Sequence, residues 1–133
     1  MVALAKISAL QQAGRPLRFK GAATDDELHA AYRHCAFTVY PSLMEGFGLP
    51  VLEAMRLGTP VVTSRTSSLP EIAGDAALYV NPYETDDIAR AIKTITADAG
   101  LRAELSERGR AQAELFSVAR YRDRVAALYD QLR

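Results

Sequence analysis

The sequence contains little cysteine, no tryptophan and no excess charge of either sign. Its single cysteine, Cys35, excludes an intrachain disulfide, so we expect a protein of the reducing cytoplasm. Sixteen basic residues balance sixteen acidic ones, which leaves no overall field to attract nucleic acid or anionic lipid. No apolar run approaches the ~20 residues of a membrane-spanning helix, and the amino-terminal segment lacks the pattern of a signal peptide.

Metal ligands are equally scarce. No group of Cys and His residues has the spacing of a metal site, so no metal is expected. His29 and His34 lie five positions apart on a predicted helix and do not share a face, which favours ordinary surface or core histidines. Cys35, at the end of that helix, is predicted to be a small buried hydrophobic residue. Any site must therefore be built from other chemistry.

Predicted strands and helices alternate along the chain. Short apolar runs predict four strands, at Leu17–Lys20, Phe37–Tyr40, Pro60–Thr63 and Ala77–Val80. This alternation predicts an α/β fold with a three-layer, Rossmann-like parallel sheet and helices on both faces. A length of 133 residues, of which 49% are hydrophobic, suits a single domain spanning residues 1–133.

Three further patterns concern the helices. Thr24 with Glu27, and Ser68 with Glu71, have the spacing of a capping box at a helix start. Gly58 is predicted to end the helix that begins at Pro50. The last predicted helix carries an apolar stripe that needs a partner, formed by Val118, Tyr121, Val125, Leu128 and Leu132.

The segment from Tyr40 to Pro60, YPSLMEGFGLPVLEAMRLGTP, is the most informative part of the chain. It places Glu45 on a glycine-containing turn and Glu53 about one turn into the following helix. The backbone N–H groups of such a turn, beside a helix N-terminus, form a natural seat for an anion. Carboxylates beside that seat can accept hydrogen bonds from sugar hydroxyls. A nucleotide sugar combines an anion with a polyol, so these residues favour a nucleotide sugar as the ligand.

These residues resemble a known family. EGFGLPVLE is similar to the Glu-x7-Glu signature of the retaining glycosyltransferases of family 4, which have the GT-B fold. The segments GTPVVTS and SSLPEIAGDAA, and the tail from Asn81 to Arg133, are similar to that family's continuation. The resemblance covers most of the chain from about Leu17 onward.

The resemblance assigns roles to individual residues. The glutamate that matches Glu45 contacts the transferred sugar and is the catalytic candidate, whereas Glu53 would accept hydrogen bonds from ribose hydroxyls. Backbone groups of the intervening turn would bind the donor, and they belong to Gly46, Phe47, Gly48 and Leu49. No cofactor or divalent metal is expected, with a nucleoside diphosphate sugar as the substrate.

The resemblance also implies that the chain is the carboxyl-terminal, donor-binding part of an intact hexosyltransferase. The family's amino-terminal acceptor domain and first two strands have no counterpart in the sequence. The isolated chain is therefore expected to transfer no sugar. Its expected partners are the donor, the amino-terminal domain and, through exposed strand edges or the last helix, a second copy. The intact enzyme would work in polysaccharide biosynthesis, in the cytoplasm or at the surface of the inner membrane.

The same family order of strands predicts how the sheet adapts. The two strands without a counterpart would lie between Leu17–Lys20 and Phe37–Tyr40. We therefore expect three contiguous parallel strands ending at Tyr40, Thr63 and Val80, with Leu17–Lys20 displaced from them or newly paired.

Two other function classes remain open. One is a non-catalytic nucleotide-sugar-binding module, because the chain keeps only the donor contacts. The other is a hydrolase that uses Glu45 and Glu53 as acid and base, in the manner of glycosidases with paired carboxylates. Binding assays with a nucleotide and with a plain oligosaccharide would separate the hydrolase from the other two.

Overall fold

A computed structural model describes residues 2–132, with side chains from residue 5 onward. Seven helices and three strands follow one another along these residues. In chain order they are α1 (Val2–Gln12), α2 (Asp25–His34), β1 (Thr38–Tyr40), α3 (Leu49–Arg56), β2 (Val61–Ser64), α4 (Leu69–Ala73), β3 (Ala77–Val80), α5 (Thr85–Ala97), α6 (Ala99–Glu114) and α7 (Val118–Gln131). No helix among these residues is long and apolar enough to cross a membrane.

The three strands form one parallel sheet in the order β1-β2-β3. Val62 of the central strand pairs with Val39 on one side and Leu78 on the other. All four residues of β2 are buried, as expected for a strand covered on both faces. The predicted set of three contiguous strands is confirmed, and β2 extends one residue further than expected, to Ser64.

The core lies on both faces of the sheet because side chains alternate along a strand. Val61 faces a cluster built by α2, α3, α4 and the end of α6. Val62 faces a second cluster, built by α5 and the middle of α6. Ile95, on α5, is fully buried in that second cluster. The predicted three-layer α/β arrangement is therefore confirmed.

The predicted strand at Leu17–Lys20 is wrong. These residues are exposed and belong to no strand or helix, and Phe19 keeps 56% of its surface accessible. Lys20 instead forms an exposed ion pair with Glu27 at 2.5 Å. A short apolar run becomes a strand only where a neighbouring strand can pair with its backbone groups, and none lies beside this segment.

Two smaller predictions are also corrected. Cys35 is exposed rather than buried, because α2 ends there and the residue lies on the turn into β1. The Thr24–Glu27 capping box is confirmed with both of its hydrogen bonds. The Ser68–Glu71 box is wrong, because Ser68 has helical backbone angles and its side chain makes no capping bond. The Ser68 hydroxyl instead bonds to backbone carbonyls in the segment that joins β1 to α3.

The stripe on α7 is exposed, as predicted for a helix without a partner. None of the helix's residues is buried, and four members of the stripe are more than half exposed: Val118, Tyr121, Leu128 and Leu132. Only Val125 is partly covered. The predicted association of copies through this helix or through the strand edges stays a prediction.

Candidate donor-binding site

The candidate site is the loop of residues 41–48, which joins β1 to α3 and is called the glycine loop below. It leaves the sheet at the carboxyl end of β1, where ligands bind in open parallel sheets. The β2–α4 connection, residues 65–68, leaves the same edge from the neighbouring strand. Two loops therefore meet beyond the ends of adjacent strands.

The two glycines of the loop play different structural roles. Gly48 has a φ of 98°, in the left-handed region that favours glycine, and a Cβ there would lie 2.8 Å from Leu69 Cδ2. Gly46 has no positive φ, and a Cβ would meet no atom within 4 Å. Gly48 is thus required by the fold itself, whereas Gly46 borders open space.

The Glu45 carboxylate is held on one of its oxygens. Tyr40 donates its hydroxyl to Oε1 at 2.5 Å, and Ser42 donates to the same oxygen at 2.7 Å. These bonds, the one from Tyr40 first, lower the pKa of Glu45 below its usual value. The bond to Glu45 also raises the pKa of Tyr40 to about 12. The ionised carboxylate keeps Oε2 without a partner among the described residues.

Hydroxyl groups from β2 and the β2–α4 connection hold the backbone of the glycine loop. Ser64 and Thr66 donate to the carbonyl of Ser42, the latter at 3.0 Å. Ser67 accepts the N–H of Glu45 at 3.0 Å, and Ser68 donates to the carbonyl of Phe47 at 2.9 Å. The sequence reasoning did not assign these roles, although the hydroxyl-rich run TSRTSS directly after a buried strand was a visible signal.

Four consecutive backbone N–H groups of this region remain free. Within residues 2–132, no hydrogen bond uses the amides of Gly46, Phe47, Gly48 or Leu49 as donors. Pro50 has no N–H, and the helix bonds resume at Val51, whose amide bonds to the Gly48 carbonyl at 3.1 Å. Free amides at the start of a helix form an anion-binding arrangement.

Glu53 lies in a different environment from Glu45. It is half-buried on α3 and lines a cavity of about 280 Å³ between that helix and the α6–α7 junction. Its side chain makes no hydrogen bond or ion pair among the described residues, and Arg56, three residues further along the helix, forms no pair with it. Burial first, and then the charge of Glu53, raise the pKa of Tyr32 on α2.

The side chains of Phe47 and Leu49 lie in different surroundings. The Phe47 ring packs edge-on against Phe116, with 6.0 Å between ring centroids. Leu49 is 56% exposed at the first position of α3. The Leu49 side chain also lines the cavity that contains Glu53, whereas the packing of the Phe47 ring is consistent with the backbone-only role predicted for Phe47.

The sequence pattern of one protein family, described as "Glycosyl transferases group 1", matches residues 4–112 and so includes both loops and both glutamates. The chain belongs to the group 1 glycosyltransferases. The family recognised in the motif is thereby confirmed.

Individual glycosyltransferases show the same relationship. The chain is 45% identical over 101 residues to the "O-antigen chain mannosyltransferase B" of Escherichia coli. In structure it resembles sucrose-phosphate synthase from Thermosynechococcus elongatus, with a TM-score of 0.80, 30% identity and 94% of the chain covered. It also resembles the C-terminal domain of a group 1 family protein from Francisella tularensis, with a TM-score of 0.71, 27% identity and 84% of the chain covered.

The chain spans only part of these relatives. It covers 26% of the Escherichia coli mannosyltransferase, 33% of the synthase chain and 60% of the Francisella domain chain. The family match and the structural likeness establish membership in the family and the GT-B type of fold for this glycosyltransferase chain. The roles of Glu45, Glu53 and the loop amides stay predictions.

Proposed function

We propose that this chain binds the nucleoside diphosphate sugar of a retaining glycosyl transfer to a hydroxyl acceptor. The observation that carries the proposal is the group of free amides from Gly46 to Leu49 beside the ionised Glu45. The amides suit the diphosphate, because free N–H groups at a helix start favour a negative ligand. The free Oε2 of Glu45 suits a sugar hydroxyl, which needs an acceptor.

Glu45 stabilises positive charge that develops at the reacting carbon, and Tyr40 and Ser42 keep it in the ionised state for that task. Glu53 accepts hydrogen bonds from the ribose hydroxyls. The reaction needs no divalent metal in this proposal, because the free amides stabilise the negative charge of the leaving phosphate. The departing phosphate takes the proton of the acceptor hydroxyl, so that the protein supplies position and charge stabilisation.

The state of Glu45 restricts the hydrolase alternative, because it makes Glu45 a poor candidate for the acid of the pair. A glycosidase acid must hold its proton near neutral pH, which requires a raised pKa. The hydrogen bonds from Tyr40 and Ser42 shift the pKa of Glu45 in the opposite direction. The non-catalytic binding module uses the same donor site, and a transfer assay on the full gene product separates it from the transferase.

The two glutamates provide a test with internal controls. Calorimetry would measure binding of GDP-mannose, UDP-glucose and ADP-glucose, each beside its free nucleotide, to the wild type, Glu45→Gln and Glu53→Gln. Mannose is included because the Escherichia coli relative is a mannosyltransferase. We expect Glu53→Gln to weaken free nucleotide and nucleotide sugar alike, roughly tenfold, through a lost charge-assisted hydrogen bond.

Glu45→Gln should weaken the nucleotide sugar and leave the free nucleotide within about twofold, because its partner is on the sugar. A plain mannose oligosaccharide should not bind. Equal losses for both ligands in both variants would contradict the division of roles. Absence of binding by the wild type would contradict the proposed function.

A further inference from the structure

Ser67 and Ser68 reach the glycine loop from more than twenty residues further along the chain. Ser67 Oγ accepts the N–H of Glu45 at 3.0 Å. Ser68 Oγ lies 2.9 Å from the carbonyl oxygen of Phe47 and 3.2 Å from that of Glu45, so one hydroxyl serves both carbonyls. Ser68 immediately precedes α4, but its side chain makes no capping bond there, and Ser67 lies outside the helix.

Ser67 adopts a costly backbone conformation to make its contact. Its φ of 49° is the only positive value among non-glycine residues in the described part of the chain. Glycine adopts such an angle with less strain, but it has no hydroxyl to receive the Glu45 amide. A strained residue persists where the surrounding structure fixes it, and such residues concentrate at functional sites.

The hydrogen bonds of Ser68 determine where two amides point. In a trans peptide the C=O of one residue and the N–H of the next lie in one plane and point in opposite directions. The Glu45 carbonyl shares its plane with the Gly46 N–H, and the Phe47 carbonyl shares its plane with the Gly48 N–H. Because Ser68 binds both carbonyls, both amides are directed away from the β2–α4 connection, and both are free.

We infer that Ser67 and Ser68 are positioning residues of the donor site. Ser68 aims the Gly46 and Gly48 amides at the diphosphate, and Ser67 fixes the peptide plane that precedes Glu45. The site is thus preorganised by hydroxyls that never touch the ligand. The inference rests on the proposed function for its ligand, whereas the ordering of the loop can be measured without one.

The ligand-free test is amide hydrogen exchange followed by NMR. Ser67→Ala and Ser67→Gly should both accelerate exchange at the Glu45 amide, roughly fivefold or more, because one hydrogen bond is lost. Amides of Val61 and Val62 should exchange as in the wild type. Ser67→Gly also relieves the backbone strain, so its unfolding midpoint should equal or exceed that of Ser67→Ala. Unchanged exchange at Glu45 in both variants would overturn the role of Ser67.

The binding test compares Ser68→Ala with Ser68→Thr, which keeps the hydroxyl. With GDP-mannose and GDP as probes, we expect Ser68→Ala to lose roughly tenfold in affinity for both, and Ser68→Thr to stay within about threefold of the wild type. The matched control is Ser106→Ala, which also removes a hydroxyl bonded to a backbone carbonyl, that of Gly58 at 2.6 Å, away from the glycine loop. Its affinity should not change.

The outcomes separate the inference from the proposed function. An affinity of Ser68→Ala equal to that of the wild type would overturn the positioning role alone. So would a Ser68→Thr variant that binds as weakly as Ser68→Ala. A wild type that binds no nucleotide sugar would overturn the proposed function and with it the role of these serines in donor binding. The exchange measurement would then still show whether the serines order the loop.

Discussion

The glycine loop and helix α7 are both at the surface of the protein, yet they are held in opposite ways. Polar side chains fix the loop: four hydroxyls from β2 and the β2–α4 connection bind its backbone, and two more bind Glu45. Helix α7 carries an apolar stripe but buries none of it. The loop has no hydrophobic core of its own and is held by hydrogen bonds. The helix has apolar residues that could join a core, but no neighbouring element in the described part of the chain buries them.

This difference indicates what each region is for. A loop that is fixed by hydrogen bonds before a ligand arrives does not lose that freedom on binding, which favours affinity. An apolar stripe left in solvent gains from any surface that covers it. The loop therefore has the properties of a preorganised site, and α7 those of an interface awaiting a partner.

Among changes in the glycine loop and on α7, the largest effect is expected at Gly48. Gly48→Ala forces a side chain into a left-handed conformation and against buried Leu69, which should lower the free energy of unfolding by roughly 2–3 kcal/mol. Gly46→Ala is the matched control, because its Cβ meets no atom within 4 Å, and it should change stability by less than about 0.5 kcal/mol. Urea unfolding measures both. Equal losses for the two variants would contradict the different structural roles of the two glycines.

A smaller effect is expected at Tyr40. Tyr40→Phe removes the hydrogen bond to Glu45 and should cost about 1 kcal/mol at neutral pH. Tyr129→Phe on α7 is the control, because that tyrosine is 65% exposed and its hydroxyl makes no hydrogen bond among the described residues, and it should be neutral. A Tyr129→Phe variant as unstable as Tyr40→Phe would show that α7 is held more firmly than its exposure indicates.

The pH dependence of the same variant sharpens this prediction. The lowered pKa of Glu45 means that its contribution is present above the usual value of 4.5 and is lost as pH falls through the lowered one. The raised pKa of Tyr40 means that its contribution is present below pH 10.0 and is lost as pH rises toward about 12. Tyr40→Phe should therefore differ from the wild type most between these limits, and the difference should shrink at both extremes.

The smallest effect is expected on α7. Leu128→Ser should change the free energy of unfolding by less than about 0.5 kcal/mol, because the side chain is already 56% exposed. Leu105→Ala, at a buried position of α6, should cost roughly 2–5 kcal/mol in the same assay. Sedimentation at increasing concentration measures whether copies associate. A stability loss for Leu128→Ser that grows with protein concentration would show that α7 is covered by a second copy.

The sequence motif predicted the local structure around the candidate site correctly, because its signals are local. A proline near the start of α3, a glycine after its end, and glutamates on a turn and a helix are all fixed by neighbours in the chain. The strand at Leu17–Lys20 was predicted wrongly for the opposite reason: a strand is completed by pairing with another segment, which a local apolar run cannot specify. The Thr24–Glu27 capping box succeeded as a local pattern.

The sequence by itself determined the family, the position of both glutamates and, apart from Leu17–Lys20, the order of strands and helices, because each follows from spacing along the chain. Only the tertiary structure decided how Glu45 is held. Ser68 had the spacing of a helix cap with Glu71, but the fold placed it and Ser67 beside the glycine loop, where their hydroxyls bond to backbone groups of that loop. A hydroxyl bonds to whichever backbone group lies within about 3 Å, and distance in space is what a linear pattern does not contain.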